Sequence, residues 1–577
     1  MNIKIPGLTA DIDLKTRELT IWDTRLGERL IIASLANLLR PTMDGVPVET
    51  KFLGVKQRGR RIRFLYEGQG LKQGEVRLEA KDGHFEWSAR FTVEKACQLN
   101  RLDLLPPGTH LNMFDVVNFR NRHFSPHTYP ELNLGGKGME TDTYSTDWQF
   151  APHPTMMILR KQDRHLLVGA LDLPKAFGMY LKVADYKVKE WHLDFGDVGS
   201  GLPLGKGETF SSPRFSIIPA WNETAHKTIG RWTDLLVREG AIPSPRQRRP
   251  IAWHRENLYC TWIDQWAHSE CELPAELKDQ AEGGSPIEQA FNEDLVREAL
   301  ALIRREKLPF GIFLIDAGWS VVRGQWEADP VRFPNFRRLV DDIHAAGMKV
   351  MAWWAWPEIT PPAQVNPAYL VGEGRLNRHG MRMWDFSHPR TQREWLRPLM
   401  RRMLSSSPGC YDLDGIKTDF TADKIHADMP LHNPDWRGEE NYFFHLYRLL
   451  RAEMLRQKPD ACHMGCAGHP FLAAFMDLNR TFDVHSSDYR EHENRALMLE
   501  ATAPGCPVSL DFHLFTERLA GFFELAKRRG YAIQIGNVLR TRRDACAGWK
   551  QADANDHRQL RRLFREATNR SGTQAAR

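Results

Sequence analysis

Lys417 and Asp419 stand two residues apart in GIKTDF, at the end of a short apolar run. On a strand that spacing turns both side chains to one face. Two readings are open: an ion pair at an exposed strand end, worth little, or a carboxylate kept charged by a cation inside a site. Three further acids hold comparable positions. Asp316 follows Ile315 in LIDAGW, Glu358 closes WWAWPE, and Asp488 ends VHSSD. Carboxylates converging on one pocket can serve as acids, bases or nucleophiles. Trp319, Trp353, Trp354 and Trp356 interleave with them. Flat apolar walls beside carboxylates and a lysine suit a ligand with C–H faces and many hydroxyls, as sugars have, although such rings equally serve as core packing. Asp488, just before YREHENRALML, is also a fair helix N-cap.

Acids at strand ends need a scaffold that gathers those ends. After about residue 245 the hydrophobic period switches repeatedly between strand and helix. The runs NLYCTWI, GIFLIDA, KVMAWW, DGIKTDF, ACHMGC, TFDVHSSD, CPVSLDFH and YAIQIGN read as eight strands. Helical stretches such as NEDLVREALALIRREK, FRRLVDDIHAAG, TQREWLRPLMRRML, NYFFHLYRLLRAEMLRQ and FTERLAGFFELAKRRG separate them. Eight βα units predict a TIM (β/α)8 barrel over 246–577, ending in a short C-terminal helical tail. Chemistry in this fold gathers at the C-terminal ends of the strands, where all four acids fall.

Before residue 245 the pattern is different. Val76, Leu78 and Ala80 alternate, Asp82-Gly83 makes a turn, and Phe85, Trp87, Ala89, Phe91 and Val93 alternate again, which predicts a hairpin. HLLVGALDL and KVKEWHLDFG repeat the theme, and residues 1–245 are expected to form an N-terminal antiparallel β-sandwich domain. IPSPRQRRP reads as the junction between the two domains.

Composition narrows the function classes. The chain has 577 residues, with 79 basic and 73 acidic side chains for a net charge of +6, which points to no nucleic-acid partner. No stretch approaches a membrane span, and the start, MNIKIPGLTADIDLKTRELT, lacks a signal-peptide pattern. A cytoplasmic location without membrane association is expected. The eight scattered cysteines suit a reducing compartment. CHMGCAGH offers Cys462, His463, Cys466 and His469 at a spacing that matches no standard zinc pattern, and small buried thiols on a strand are the preferred reading. Neither a metal nor a cofactor is expected; a homo-oligomer remains open.

The ordered set FLIDAGW, QWEADPVRFPNFRRLVDDIHAAGMKVMAWWAWPE, WDFSHPRTQREW and DGIKTDF resembles the retaining α-glycosidases of the clan joining family 36 α-galactosidases with family 31 α-glucosidases. The likeness spans roughly residues 255 to 540, and an N-terminal β-sandwich also suits family 36. The resemblance implies that Asp419, in the Lys-x-Asp motif after strand four, is the nucleophile. It implies that Asp488, preceded by Ser487 after strand six, is the acid/base. Retaining hydrolysis needs such a pair, one carboxylate ionised and one protonated. Lys417 beside Asp419 favours the ionised form, while an aromatic-walled site would raise the pKa of Asp488. Asp316, Trp319, Trp354, Glu358, Lys417 and Arg495 are the expected substrate contacts. Asp483, earlier in the run, is the rival acid and is read as structural.

One departure bears on the sugar. Family 36 carries two adjacent acids in Asp-Asp-Gly-Trp, where this chain has Asp316-Ala317-Gly318-Trp319. His485 and His513 are candidates for compensating contacts, and packed barrel histidines otherwise. The expected substrate is an α-linked oligosaccharide or glycoside, α-galactosides first. The alternatives are α-glucosides or a modified hexose, a transglycosidase using the same two acids, and a non-catalytic carbohydrate-binding protein.

Overall fold

The computed structural model describes the chain except residues 107, 114, 118–139, 143–155, 162, 174, 176–177, 185–186, 197–200, 249–250, 274–285, 356–357, 361–362, 378–379, 420–424, 426–428, 467–468, 482–488, 513–518, 544–546 and 569–577. Two compact units emerge: residues 1–243 with 425–444, and residues 244–424 with 445–577.

The first unit is antiparallel, with strands in three sheets. The predicted hairpin is present: Leu71–Ala80 pairs with Phe85–Val93, Ala80 facing Phe85, and Gly83 takes the turn at φ +89°. Its alternation is that of a half-buried ribbon. Val76, Leu78, Ala80, Phe85, Ala89, Phe91 and Val93 are buried in a core shared with Leu8, Ile21, Leu99, Leu193 and Phe215 from other strands. HLLVGALDL and KVKEWHLDFG supply strands Arg164–Ala170 and Lys187–Asp194. Helix Ala225–Arg238 packs its apolar stripe, Ile229, Trp232, Leu235 and Leu236, inward.

The second unit holds a closed parallel barrel of eight strands: β1 (Leu258–Cys260), β2 (Ile312–Ile315), β3 (Lys349–Ala355), β4 (Gly415–Asp419), β5 (Cys462–Cys466), β6 (Leu478–Arg480), β7 (Val508–Phe512) and β8 (Ala532–Ile535). β8 closes the ring on β1, with Ile535 beside Tyr259. Helices Glu293–Arg305, Phe336–Ala345, Glu439–Gln457 and Leu519–Arg529 correspond to predicted ones. The first starts where Asn292 accepts from the Leu295 amide at 3.0 Å. In TQREWLRPLMRRML a π-helical turn, Gln392–Leu396, precedes helix Arg397–Leu404. Helix Ala554–Thr568 forms the tail. Among the described residues, no helix is long and apolar enough to cross a membrane.

One strand differs from the sequence reading. The sequence pattern places strand six at TFDVHSSD, but β6 is Leu478–Arg480 and starts three residues earlier. Its polar triplet LNR hides a strand because Asn479 and Arg480 are buried by the ring of neighbouring strands rather than by their own apolarity. Of the assigned run, residues 482–488 lie outside the described residues.

Candidate active site

The lower barrel interior is apolar: Leu258, Cys260, Ile312, Leu314, Met351, Cys462, Met464 and Leu478 form one cluster. Side chains two residues further along a strand share that face. From Ile312 and Leu314 the next is Asp316; from Met351, Trp353; from Leu478, Arg480. Lys417 and Asp419 follow the same alternation on β4. The apolar plug thus gives way, at the C-terminal end, to a layer of charge.

That layer is connected. The Lys417 ammonium donates to Asp316 Oδ2 at 2.7 Å and lies 3.6 Å from Asp419 Oδ2. The same Asp419 oxygen accepts from Trp353 Nε1 at 3.0 Å and faces the Arg480 guanidinium at 3.4 Å. Arg480 also forms a close ion pair with Asp511, which accepts from Gln534 Nε2 as well. Lys417, Asp316, Asp419, Arg480 and Asp511 are each at most 5 % exposed. Buried ions of this kind persist only when paired. Burial works against the Lys417 charge, as does Arg480, but the carboxylates of Asp316 and Asp419 outweigh both and hold its pKa above the ordinary lysine range.

Asp316 is engaged on both oxygens. Its Oδ1 accepts from the Ala317 amide at 2.8 Å, and its Oδ2 also takes the Cys260 thiol at 3.1 Å. Burial, and then the Asp316 charge, push the Cys260 pKa well up, so it stays a thiol donor. The Asp316 amide donates to Thr261 Oγ1 at 2.9 Å. Gly318, at φ +103°, lets the chain turn away, since a Cβ there would come within 2.8 Å of Glu288 O. Ala317 is buried, at 2 % exposure.

The other expected contacts separate into groups. Trp353 faces the barrel interior, whereas Trp354, its neighbour on β3, takes the opposite face and packs against Trp326 and Trp395. Trp319 is fully buried, stacked on Phe336 at 5.2 Å, and donates to the Trp353 carbonyl at 2.9 Å. Glu358 is ion-paired with Arg323 at 3.2 Å, and Arg323 lies over the Trp353 ring at 5.1 Å while also pairing with Glu288. Burial opposes the Arg323 charge, but the two glutamates keep its pKa raised. Arg495 is buried on helix Tyr489–Thr502. Asp488, Asp483, His485, His513 and Trp356 lie outside the described residues.

CHMGCAGH contributes packing. His463 accepts or donates through Nε2 to Thr418 Oγ1 at 2.9 Å and through Nδ1 to the Phe475 carbonyl at 2.8 Å, and burial pushes its pKa down to about 3. Cys462 lies within 4.8 Å of His254 and Asp477 ligand atoms. However, His254 is bonded to the Asp460 carbonyl, and Asp477 is paired with Arg451 at 2.7 Å.

Sequence reasoning missed Arg480, Asp511 and Gln534. The acid-at-a-strand-end rule, applied to CPVSLDFH, finds Asp511; Gln534 is the lone polar residue in AIQI. Arg480 has no comparable local signal.

Residues 285–472 match the family described as "Glycosyl hydrolases family 31 TIM-barrel domain". No curated protein sequence matches the chain. Among solved structures, an α-galactosidase from Lactobacillus brevis is similar at 15% identity and TM-score 0.52, over 92% of this chain and 72% of that one. A family 36 α-galactosidase from Geobacillus stearothermophilus, solved with raffinose, is similar at 11% identity and TM-score 0.55, over 99% and 86%. A cycloalternan-forming enzyme from Listeria monocytogenes, solved with a pentasaccharide substrate, is similar at 11% identity and TM-score 0.55, over 92% and 55%. The fold is thus the one shared by glycoside hydrolases of families 31 and 36, in agreement with the resemblance to the retaining α-glycosidase clan.

Proposed function

We propose that this protein is a retaining glycosidase that cleaves a terminal α-linked hexose by double displacement, with Asp419 as nucleophile and Asp488 as acid/base. The observation that carries the reading is Asp419 itself. It is a carboxylate on the interior face at the C-terminal end of β4, with one oxygen ringed by Trp353, Lys417 and Arg480. Two cations lie beside it, and the indole N–H orients it for attack on an anomeric carbon. The covalent glycosyl-enzyme then breaks down by attack of water, which Asp488 deprotonates after first protonating the leaving oxygen. In this scheme the two carboxyl groups work about 5–5.5 Å apart. Lys417, Asp316 and Trp353 face the sugar, and Glu358 with Arg323 supports the wall behind Trp353.

α-Galactosides are the first substrate choice, on the fold likeness to family 36 enzymes. α-Glucosides are the second, favoured by the match to the family 31 domain. The alanine at 317, in place of a second acid, favours a substrate whose outer hydroxyl differs or is modified.

A panel of aryl α-glycosides with product analysis tests the reading, together with trapping by a fluorinated glycosyl donor and peptide mass spectrometry. Label on Asp419 and loss of several orders of magnitude in turnover for Asp419→Ala are expected. Asp488→Ala should harm poor leaving groups far more than activated ones. Label on Asp316, Glu358 or Asp511, or no turnover of any α-glycoside, would overturn it.

A further inference from the structure

We infer that Arg480 is a positioning residue for Asp419: like Lys417, it is anchored on an outer acid and meets the carboxylate at longer range. The inference rests on the nucleophilic reading of Asp419 given above. Arg480, 1 % exposed, follows Leu478 of the apolar interior cluster on the same strand face. Its guanidinium makes a close ion pair with Asp511 on β7 and a longer approach, 3.4 Å, to Asp419 on β4. Lys417 mirrors it, at 2.7 Å from Asp316 and 3.6 Å from Asp419. Charge therefore alternates along Asp316, Lys417, Asp419, Arg480 and Asp511, and Asp419 occupies the centre.

The asymmetry of distances is the functional point. A nucleophile must stay ionised, yet a short bidentate pair with arginine would occupy the oxygens it attacks with. Asp511, itself held by Gln534, takes the short contact and fixes the guanidinium, leaving Asp419 the field of the cation without its full grip. Trp353 from β3, Lys417 from its own strand and Arg480 from β6 are among the groups that face Asp419. Asp316 and the Cys260 thiol stand behind Lys417, and Asp511 stands behind Arg480.

Substitutions on the two sides of this relay should act with opposite signs. Arg480→Met removes a cation, so the acidic limb of the kcat/KM profile should move up by about one pH unit, with kcat/KM about 100-fold lower and KM little changed. Asp511→Asn releases Arg480 onto Asp419, so the limb should move down while kcat falls. Arg480→Lys should restore the limb but not the full rate, since it loses the planar fork that meets Asp511 through one nitrogen and Asp419 through the other. An activated aryl α-glycoside is the probe, because it needs little leaving-group protonation and its acidic limb reports the nucleophile. Circular dichroism and melting temperature establish that each variant is folded. If Arg480→Met fails to fold, the limbs of Asp511→Asn and Arg480→Lys carry the test. Folded variants whose limbs coincide with wild type would overturn the inference while leaving the nucleophile intact. A wild type inactive on every aryl α-glycoside would overturn both.

Discussion

Replacing Lys417 with methionine removes a cation shared by Asp316 and Asp419, and its effect should depend on pH in a defined way. The ammonium lies 2.7 Å from one carboxylate and 3.6 Å from the other, with all three side chains at most 6 % exposed. At an effective dielectric constant of about 20, those distances correspond to gross attractions of about 6 and about 5 kcal/mol. Most of this offsets the cost of burying three charges. Breaking such a group by deleting one partner typically destabilises by about 3–5 kcal/mol, because an unbalanced charge stays buried. In Lys417→Met the stranded carboxylates should relieve that cost by taking up a proton, so their folded pKa rises above the unfolded value. A raised folded pKa contributes stability at low pH that is lost as pH rises through it. The deficit relative to wild type should therefore be largest near pH 8 and shrink as pH falls towards 5. Urea unfolding of wild type and variant across that range, followed by tryptophan fluorescence, measures it. A deficit that is constant with pH, or smaller than about 1 kcal/mol at pH 8, would refute the view that Lys417 is the balancing charge.

Trp353→Phe keeps a ring beneath Arg323 but deletes the N–H that Asp419 accepts at 3.0 Å. Loss of one charge-assisted bond should lower kcat/KM about 10–100-fold with little change in melting temperature, as steady-state kinetics will show. His463 is held neutral, with its pKa pushed down to about 3 by burial, whereas an unfolded histidine titrates near 6.5. Its contribution to stability is present above about pH 6.5 and is lost as pH falls towards 3, amounting to about 2 kcal/mol at pH 5. His463→Gln should make the acid-side loss of stability shallower, as measured by urea midpoints from pH 7 to 4. Asp264, whose pKa burial raises to about 6 against opposing hydrogen bonds, accepts from the Val538, Leu539 and Arg540 amides and from the Tyr259 hydroxyl. Asp264→Asn, with one carbonyl oxygen in place of two carboxylate oxygens, should lower amide-exchange protection at Val538 to Arg540.

The sequence alone determined those features that depend on local period and on chain order. Alternation over Val76 to Val93 around Asp82-Gly83 defines a hairpin because a pleated strand repeats every two residues and only a few turns reverse it. Eight apolar runs separated by helical stretches specify a barrel, and acids closing those runs specify its working end. Lys417 and Asp419 were legible for the same reason, since a spacing of two on one strand leaves no choice of face. Tertiary structure alone decided what came from different strands. Asp316 and Lys417 are 101 residues apart and bonded at 2.7 Å, and nothing local to either predicts that the lysine lies nearer to Asp316 than to Asp419. Trp353 and Trp354 are adjacent and alike in sequence, and the side of β3 that meets the apolar plug below Asp419 is what separates them. Arg480 is the clearest case. In a polar triplet, it reads as a loop residue until ring closure places β6 near β4 and beside β7, where two carboxylates make a buried guanidinium stable.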